Sequence, residues 1–292
     1  MNFTKLQGAG NDFVLIEAKD TERDWPQTAR AMCDRHFGIG ADGLLLLLPS
    51  DIADFGMRMF NPDGLEAEAC GNGLRCLAKY IVDIGLRAGK LEEASPLQNQ
   101  ILIETMAGIR MVRLNKVGES TKIQVGMGTP KFGASDIPVV IEPGKGGLVD
   151  IKPMLGYSVV IDGKELRLNL VSMGNPHAVY FGQQPVADFP LSEIGPKVEH
   201  LAIFPSRVNF EVANVVSRQQ IEARVWERGA GETLACGTGA CAVAVAAQLY
   251  GYTDNEVDIK LPGGILQAEW DKAGEVFLSG SAEIVFNGDW RQ

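Results

Sequence analysis

Apolar residues in this chain fall in short runs of about four to eight positions, cut off by Gly, Pro and Asn, which predicts strands more often than helices. In the first half the runs are FVLIEA from Phe13, GLLLLLP from Gly43, FGMRMF from Phe55, ILIET from Ile101 and KIQVGMG from Lys122. In the second half YSVVIDGKELRLNLVSM predicts two strands around Asp162-Gly163, a dipeptide suited to a two-residue hairpin. HAVYFG, RVNFEVANVVS, QIEARVWERG, VDIKL and VFLSGSAEIVF continue the series. Helical spacing is confined to residues 25–36, the segments after Gly73 and Gly239, and more weakly 191–197. After Gly73, Leu74, Leu77, Ala78 and Ile81 share a face, with Arg75, Lys79 and Asp83 between them. After Gly239, ACAVAVAAQL is apolar nearly all round, which predicts a buried helix. Residues 88–99 and 141–153 read as loops or linkers.

The pattern repeats. NPDGLEAEACGNG from Asn61 aligns without gaps on ERGAGETLACGTG from Glu227, so that Glu66 matches Glu232, Cys70 matches Cys236 and Gly73 matches Gly239, all 166 positions apart. GAGNDFVLI from Gly8 and SMGNPHAVY from Ser172 align at a spacing of 164, with Asn11 on Asn175. Two anchors at nearly one spacing predict duplicated halves, each running from strand through Gly-Asn to strand, Gly-rich loop, cysteine and helix. A strand-rich half with one buried helix predicts a curled sheet around that helix.

Composition narrows the chemistry. A length of 292 residues, 46% of them hydrophobic and 22% charged, predicts a folded protein of two domains rather than one. A formal net charge of -10 argues against nucleic acid and anionic membrane as partners, since both need clustered Lys and Arg. No targeting pattern is visible at the N-terminus, and the longest apolar runs, residues 44–48 and 240–247, are far below the roughly 20 residues of a membrane helix, so the protein reads as cytoplasmic. The five cysteines, at 33, 70, 76, 236 and 241, match neither a zinc spacing nor a secreted disulfide framework. Cys33, Cys76 and Cys241 read as buried packing residues, and no metal is implied.

Cys70 and Cys236 differ from these because each directly precedes a predicted helix. Helix N-terminal N–H groups lack intrahelical partners and the macrodipole adds positive charge, so a cysteine there is expected to lose its proton more easily. Gly71 and Gly73, like Gly237 and Gly239, let a ligand carboxylate approach the backbone. A pair of such thiols suits inversion of a carbon acid, in which one face loses a proton and the other gains one. The alternative from another class is a thiol redox or anion-binding protein in which the two cysteines form a switching disulfide.

The segments GAGNDFV at residues 8–14, DGLEAEACGNGLRC at 63–76, GNPHAV at 174–179 and ERGAGETLACGTGACA at 227–242 resemble the diaminopimelate epimerase family over essentially the whole chain. The resemblance implies a fold of the α/β class, α+β in type: two pseudo-symmetric domains, each a curled, mostly antiparallel sheet around a central helix. The implied halves are residues 1–128 plus 280–292, carrying Cys70, and 129–279, carrying Cys236. It implies stereoinversion of LL-diaminopimelate to the meso isomer without cofactor, by a cytoplasmic homodimer, in lysine and cell-wall precursor synthesis. By motif, Cys70 and Cys236 match the catalytic pair, and His177 and Glu227 match groups that tune the thiols. Asn11, Asn61, Gly71, Asn72, Asn175, Asn209, Glu227, Arg228, Gly237 and Thr238 match substrate-binding positions, with Arg228 on the distal carboxylate. Glu66 and Glu232 read as structural. Some members carry a substrate-contacting glutamine where this chain has Gly43. A proline or hydroxyproline racemase, similar in fold and paired cysteines, is the nearer alternative.

Overall fold

The computed structural model describes residues 1–19, 21–67, 70–85, 99–117, 120–140 and 155–291. The predicted loops 88–99 and 141–153 lie outside these residues, apart from Asn99. The chain divides into two compact units, Met1–Gly126 with Ser279–Gln292, and Met127–Leu278.

The first unit runs β1 (Asn2–Gly8), β2 (Asn11–Glu17), α1 (Trp25–Cys33), β3 (Gly43–Leu48), β4 (Phe55–Phe60), β5 (Glu66–Ala67), α2 (Gly71–Asp83), β6 (Gln100–Thr105), β7 (Gly108–Val117) and β8 (Ser120–Gly126). The second runs β9 (Tyr157–Ile161), β10 (Lys164–Ser172), β11 (Pro176–Phe181), α3 (Leu191–Glu199), β12 (Asn209–Ser217), β13 (Gln220–Glu227), β14 (Gly231–Thr233), α4 (Gly237–Leu249), β15 (Glu256–Leu261) and β16 (Gly264–Glu269). After β17 (Phe277–Gly280), β18 (Glu283–Asp289) returns to the first unit and pairs antiparallel with β1.

Each unit is a mostly antiparallel sheet with the same two parallel joints. In the first, β2 pairs parallel with β3 and β4 with β6; in the second, β11 pairs parallel with β12 and β13 with β15. Register agrees too: Leu44 opposes Phe60 as Phe210 opposes Trp226, and Phe13 opposes Gly43 as His177 opposes Asn209. The sheet of each unit packs around its own central helix. In the first, α2 lies against β1, β2, β3, β7, β8 and β18; in the second, α4 lies against β10, β11, β12, β13, β15 and β16. Residues 240–247 of α4 are all wholly buried, as the unbroken apolar run requires.

Local chemistry sets the element ends. Asp162 and Gly163 both take positive φ, as the β9–β10 hairpin needs. Asp24 caps α1 by accepting from the Gln27 N–H, and the helix stops at Cys33 rather than His36. There the Asp34 backbone turns extended, and its carboxylate accepts from the N–H groups of His36 and Phe37. VFLSGSAEIVF is two strands, β17 and β18, instead of one. Strand β1, unmarked by its apolar pattern, buries Thr4 and Lys5 among its apolar residues. Arg75, placed by spacing between the apolar positions of α2, is itself wholly buried.

Candidate active site

In both units the cysteine is the N-cap of the central helix. Cys70 (φ -140, ψ 117) and Cys236 (φ -118, ψ 116) have extended backbone, and each sulfur accepts from the third following N–H, of Gly73 or Gly239, at 3.4 Å. The helices begin at Gly71 and Gly237, directly after each cysteine, so the three residues before the apolar spacing at Leu74 and Ala240 already belong to them. Sulfur occupies the place an oxygen cap would take, at the positive end of the helix. Both turns are tight at the third residue after the cysteine, Gly73 or Gly239. A Cβ on Gly73 would lie 3.1 Å from Leu45 Cδ2, and one on Gly239 would lie 2.9 Å from Glu211 Oε1.

In the first unit Asn11 reaches the turn from β2. Its Oδ1 accepts from Asn72 Nδ2 at 3.2 Å and lies 3.9 Å from the Cys70 thiol, while its Nδ2 donates to Asp42 at 2.7 Å. Asp42 in turn pairs with Arg35 at 2.7 Å, and Arg35 and Lys5 both hold Asp12. Burial would raise the Asp12 pKa, but the hydrogen bonds from Arg35 and Lys5 outweigh it and bring the group down to about 2. Below the turn, Arg75 donates to Asn72 Oδ1 at 2.6 Å. Asn61 closes the backbone turn between β4 and β5, its carbonyl accepting from the Gly64 N–H and its own N–H donating to Leu65. Gly43 opens β3 in close quarters, where a Cβ would lie 3.0 Å from Met59 Cε, nearer than ordinary van der Waals contact.

In the second unit three predicted residues, His177, Asn175 and Thr238, form a hydrogen-bonded series between Glu211, which the sequence did not single out, and Cys236. His177 Nδ1 lies 2.7 Å from Glu211 Oε1, and His177 Nε2 lies 2.9 Å from Asn175 Oδ1. Asn175 Nδ2 donates to Thr238 Oγ1 at 3.3 Å, and Thr238 Oγ1 lies 3.5 Å from Cys236 Sγ. Asn209 accepts the Arg228 N–H at 2.8 Å, fixing the start of the 228–230 loop, and Arg228 donates from Nη1 to Ser206 O. Glu227 accepts from Thr233 at 2.5 Å.

Burial pushes the Cys236 thiol well above its ordinary value, and the charges of Glu227 and Glu211 push the same way. The Thr238 and Gly239 hydrogen bonds oppose them. The helix terminus alone implied the reverse direction; desolvation of a buried sulfur is the larger effect. Burial likewise raises Cys33 to about 11 and Cys76 to about 12, and Cys241 is wholly buried; what sets the three apart from Cys70 and Cys236 is that Cys33 ends α1 and Cys76 and Cys241 lie inside α2 and α4, so none caps a helix N-terminus. Glu66 and Glu232 are held by Arg58 and Arg224, themselves 166 positions apart. No group of three or more metal-ligating side chains occurs among the described residues.

Asp42, Arg75 and Glu211 escaped the sequence reading. For Glu211 a signal existed: the spacing of 166 places it on Leu45, so the duplication sets a carboxylate where its twin holds a leucine.

A family model described as diaminopimelate epimerase matches residues 3–133 and 169–285. The chain is 45% identical to the diaminopimelate epimerase of Desulfovibrio desulfuricans, covering 99% of this chain and 98% of the relative. It is equally similar, at 45%, to that of Acetivibrio thermocellus, with the same coverage. Among solved structures it resembles a Bacillus anthracis phenazine biosynthesis protein of the PhzF family, with a TM-score of 0.67, 18% identity and 99% and 98% of the two chains covered. It also resembles a hydroxyproline epimerase from Agrobacterium vitis, with a TM-score of 0.65, 13% identity and 99% and 91% covered. At these identities the two structures bear on fold alone.

Proposed function

Since the chain belongs to the diaminopimelate epimerase family, a family of isomerases, we propose that it inverts one α-carbon of LL-diaminopimelate to give the meso isomer by the paired action of Cys70 and Cys236. One sulfur, as thiolate, removes the α-proton. The other, as thiol, delivers a proton to the opposite face, so no net proton is gained or lost. The negative charge that develops on the α-carboxylate side is met by the first N–H groups of α2 and α4, at Gly71, Asn72, Gly237 and Thr238. Asn11, Asn61, Asn175 and Asn209 offer amides that donate to carboxylate and accept from ammonium. Glu227 faces the ammonium groups, and Arg228 takes the distal carboxylate with a planar fork.

The observation that carries this reading is the repeated cap: in both units a cysteine sulfur accepts the third N–H of the central helix at the same 3.4 Å. A lone cap would serve only one face of a carbon acid. Oxidation joining the two sulfurs would give an inactive form, so the protein is assayed reduced. Homodimer assembly, a cytoplasmic location and a place in lysine and cell-wall precursor synthesis are carried over from the family. No helix among the described residues is long and apolar enough to cross a membrane.

The test is turnover of LL- and meso-diaminopimelate by the reduced protein without added cofactor, with L-proline as control. Interconversion of the first two and inertness of proline are expected. Racemisation of proline with no reaction of diaminopimelate would overturn the assignment.

A further inference from the structure

We propose that Glu211 is a positioning residue for this reaction: as a neutral acid it donates to His177 and thereby fixes, through Asn175 and Thr238, a hydroxyl donor on the Cys236 sulfur. The inference rests on the epimerase reading of Cys236 and extends it to a residue outside the matched motifs.

Directions of donation follow from the amide in the middle of the series. Asn175 uses its Nδ2 toward Thr238 Oγ1, so the atom it presents to His177 Nε2 at 2.9 Å is Oδ1, which can only accept. His177 Nε2 therefore carries hydrogen. At the other end of the ring, Nδ1 lies 2.7 Å from Glu211 Oε1, and one proton lies between them. Glu211 Oε2 is buried with no hydrogen-bond partner among the described residues. An anionic oxygen without a donor is costly in such a place, whereas the carbonyl oxygen of a protonated acid is much less so. The proton accordingly sits on Glu211, and burial raises its pKa in the same sense. A donor at Nδ1 forces the neutral ring into the Nε2–H tautomer.

From there the series has one direction. His177 Nε2–H donates to Asn175 Oδ1, Asn175 Nδ2–H donates to Thr238 Oγ1, and the Thr238 O–H is left to donate to Cys236 Sγ, where the Gly239 N–H also arrives. Two donors on the sulfur favour the thiolate and offset part of its desolvation. Besides His177, the ionisable groups facing Glu211 are Glu227 on β13 and Cys236 at the start of α4, and negative charge on either keeps the proton on Glu211. Glu211 also fills the space beside Gly239, where a Cβ would meet its Oε1 at 2.9 Å, so the carboxyl group and the turn are fitted to each other.

The protein has three histidines, so selective 15N labelling resolves His177 against His36 and His200. Between pH 6 and 8 the wild type is expected to show a neutral His177 with protonated Nε2. A bare Nε2, or an imidazolium, would overturn the proposal. Glu211→Leu should mix the tautomers, lower kcat about tenfold or more and move the acid limb of the kcat/KM profile upward by about one pH unit. Glu211→Gln, whose amide can donate to Nδ1, should recover the nitrogen signal and most of both kinetic losses. Thr238→Val should move the limb as Glu211→Leu does, and the double variant should move it no further, because both break one series. A limb that stays at its wild-type position in Thr238→Val and Glu211→Leu, or a Glu211→Gln variant no better than Glu211→Leu, would reduce Glu211 to a packing role. The nitrogen signal is read without turnover, so failure of the series and failure of the epimerase reading give different results.

Discussion

The turn at Cys70 and the turn at Cys236 have the same backbone and different foundations. Both sulfurs cap their helices over the same 3.4 Å, yet beneath the first the duplicated positions hold Phe13 and Leu45, and beneath the second they hold His177 and Glu211. The first turn is held by amides and a buried cation, Asn11, Asn72 and Arg75; the second is held by a hydrogen-bonded series that ends on the sulfur. Duplication supplies two equivalent caps, as the proposed two-thiol inversion needs, and divergence beneath them gives the two caps different neighbours.

The comparison can be broken most severely by giving the first unit the acid of the second. Leu45→Glu places a carboxyl in a wholly buried site with Phe13 in place of a histidine, and should destabilise by about 3–5 kcal/mol in urea unfolding. Adding Phe13→His should recover part of that loss. A smaller effect comes from the glycines. Gly239→Ala meets a hydrogen-bonded carboxyl oxygen at 2.9 Å and should cost about 2–3 kcal/mol. Gly73→Ala meets a leucine methyl at 3.1 Å, which can shift by rotamer adjustment, and should cost about 1–2 kcal/mol. The opposite conversion, His177→Phe with Glu211→Leu, replaces a buried polar pair by the apolar pair of the first unit. It should be within about 1 kcal/mol of wild type and more stable than His177→Phe alone, which leaves the acid unpartnered.

The smallest effect concerns the ion pairs that support Asn11. Asp12 titrates at about 2 in the folded protein against an ordinary 3.8, so its stabilisation is complete above about pH 4 and is lost as pH falls through 2. Because the group is partly exposed, Asp12→Asn should cost only about 1 kcal/mol at pH 7. That difference from wild type should disappear in unfolding curves near pH 2.

Much of this architecture is legible in the chain because the repeat is. The aligned ACGNG and ACGTG segments locate both central helices and both caps, and one spacing carries Glu66 to Glu232 as well as Cys70 to Cys236. What the pattern hides is polar chemistry in buried positions. Arg75 falls by spacing outside the apolar face of α2 yet is wholly buried, and Glu211 lies in an apolar strand where alternation suggests nothing of its partner His177. Asp42 looks like an ordinary loop residue, since its bond to Asn11 joins residues from different segments. The pKa direction of Cys236 was also illegible. The helix terminus is visible in sequence, whereas the burial that outweighs it is a property of packing.

The central claim is that the two caps act as an acid and base on opposite faces of one carbon, and isotope placement during inversion tests it most directly. In deuterated water, LL-diaminopimelate should give meso product with one deuterium at the inverted α-carbon while unreacted substrate stays protiated at early times. Cys70→Ala and Cys236→Ala should each lower that inversion about a thousandfold or more. Inversion with deuterium incorporation at the wild-type rate in either variant would contradict the account.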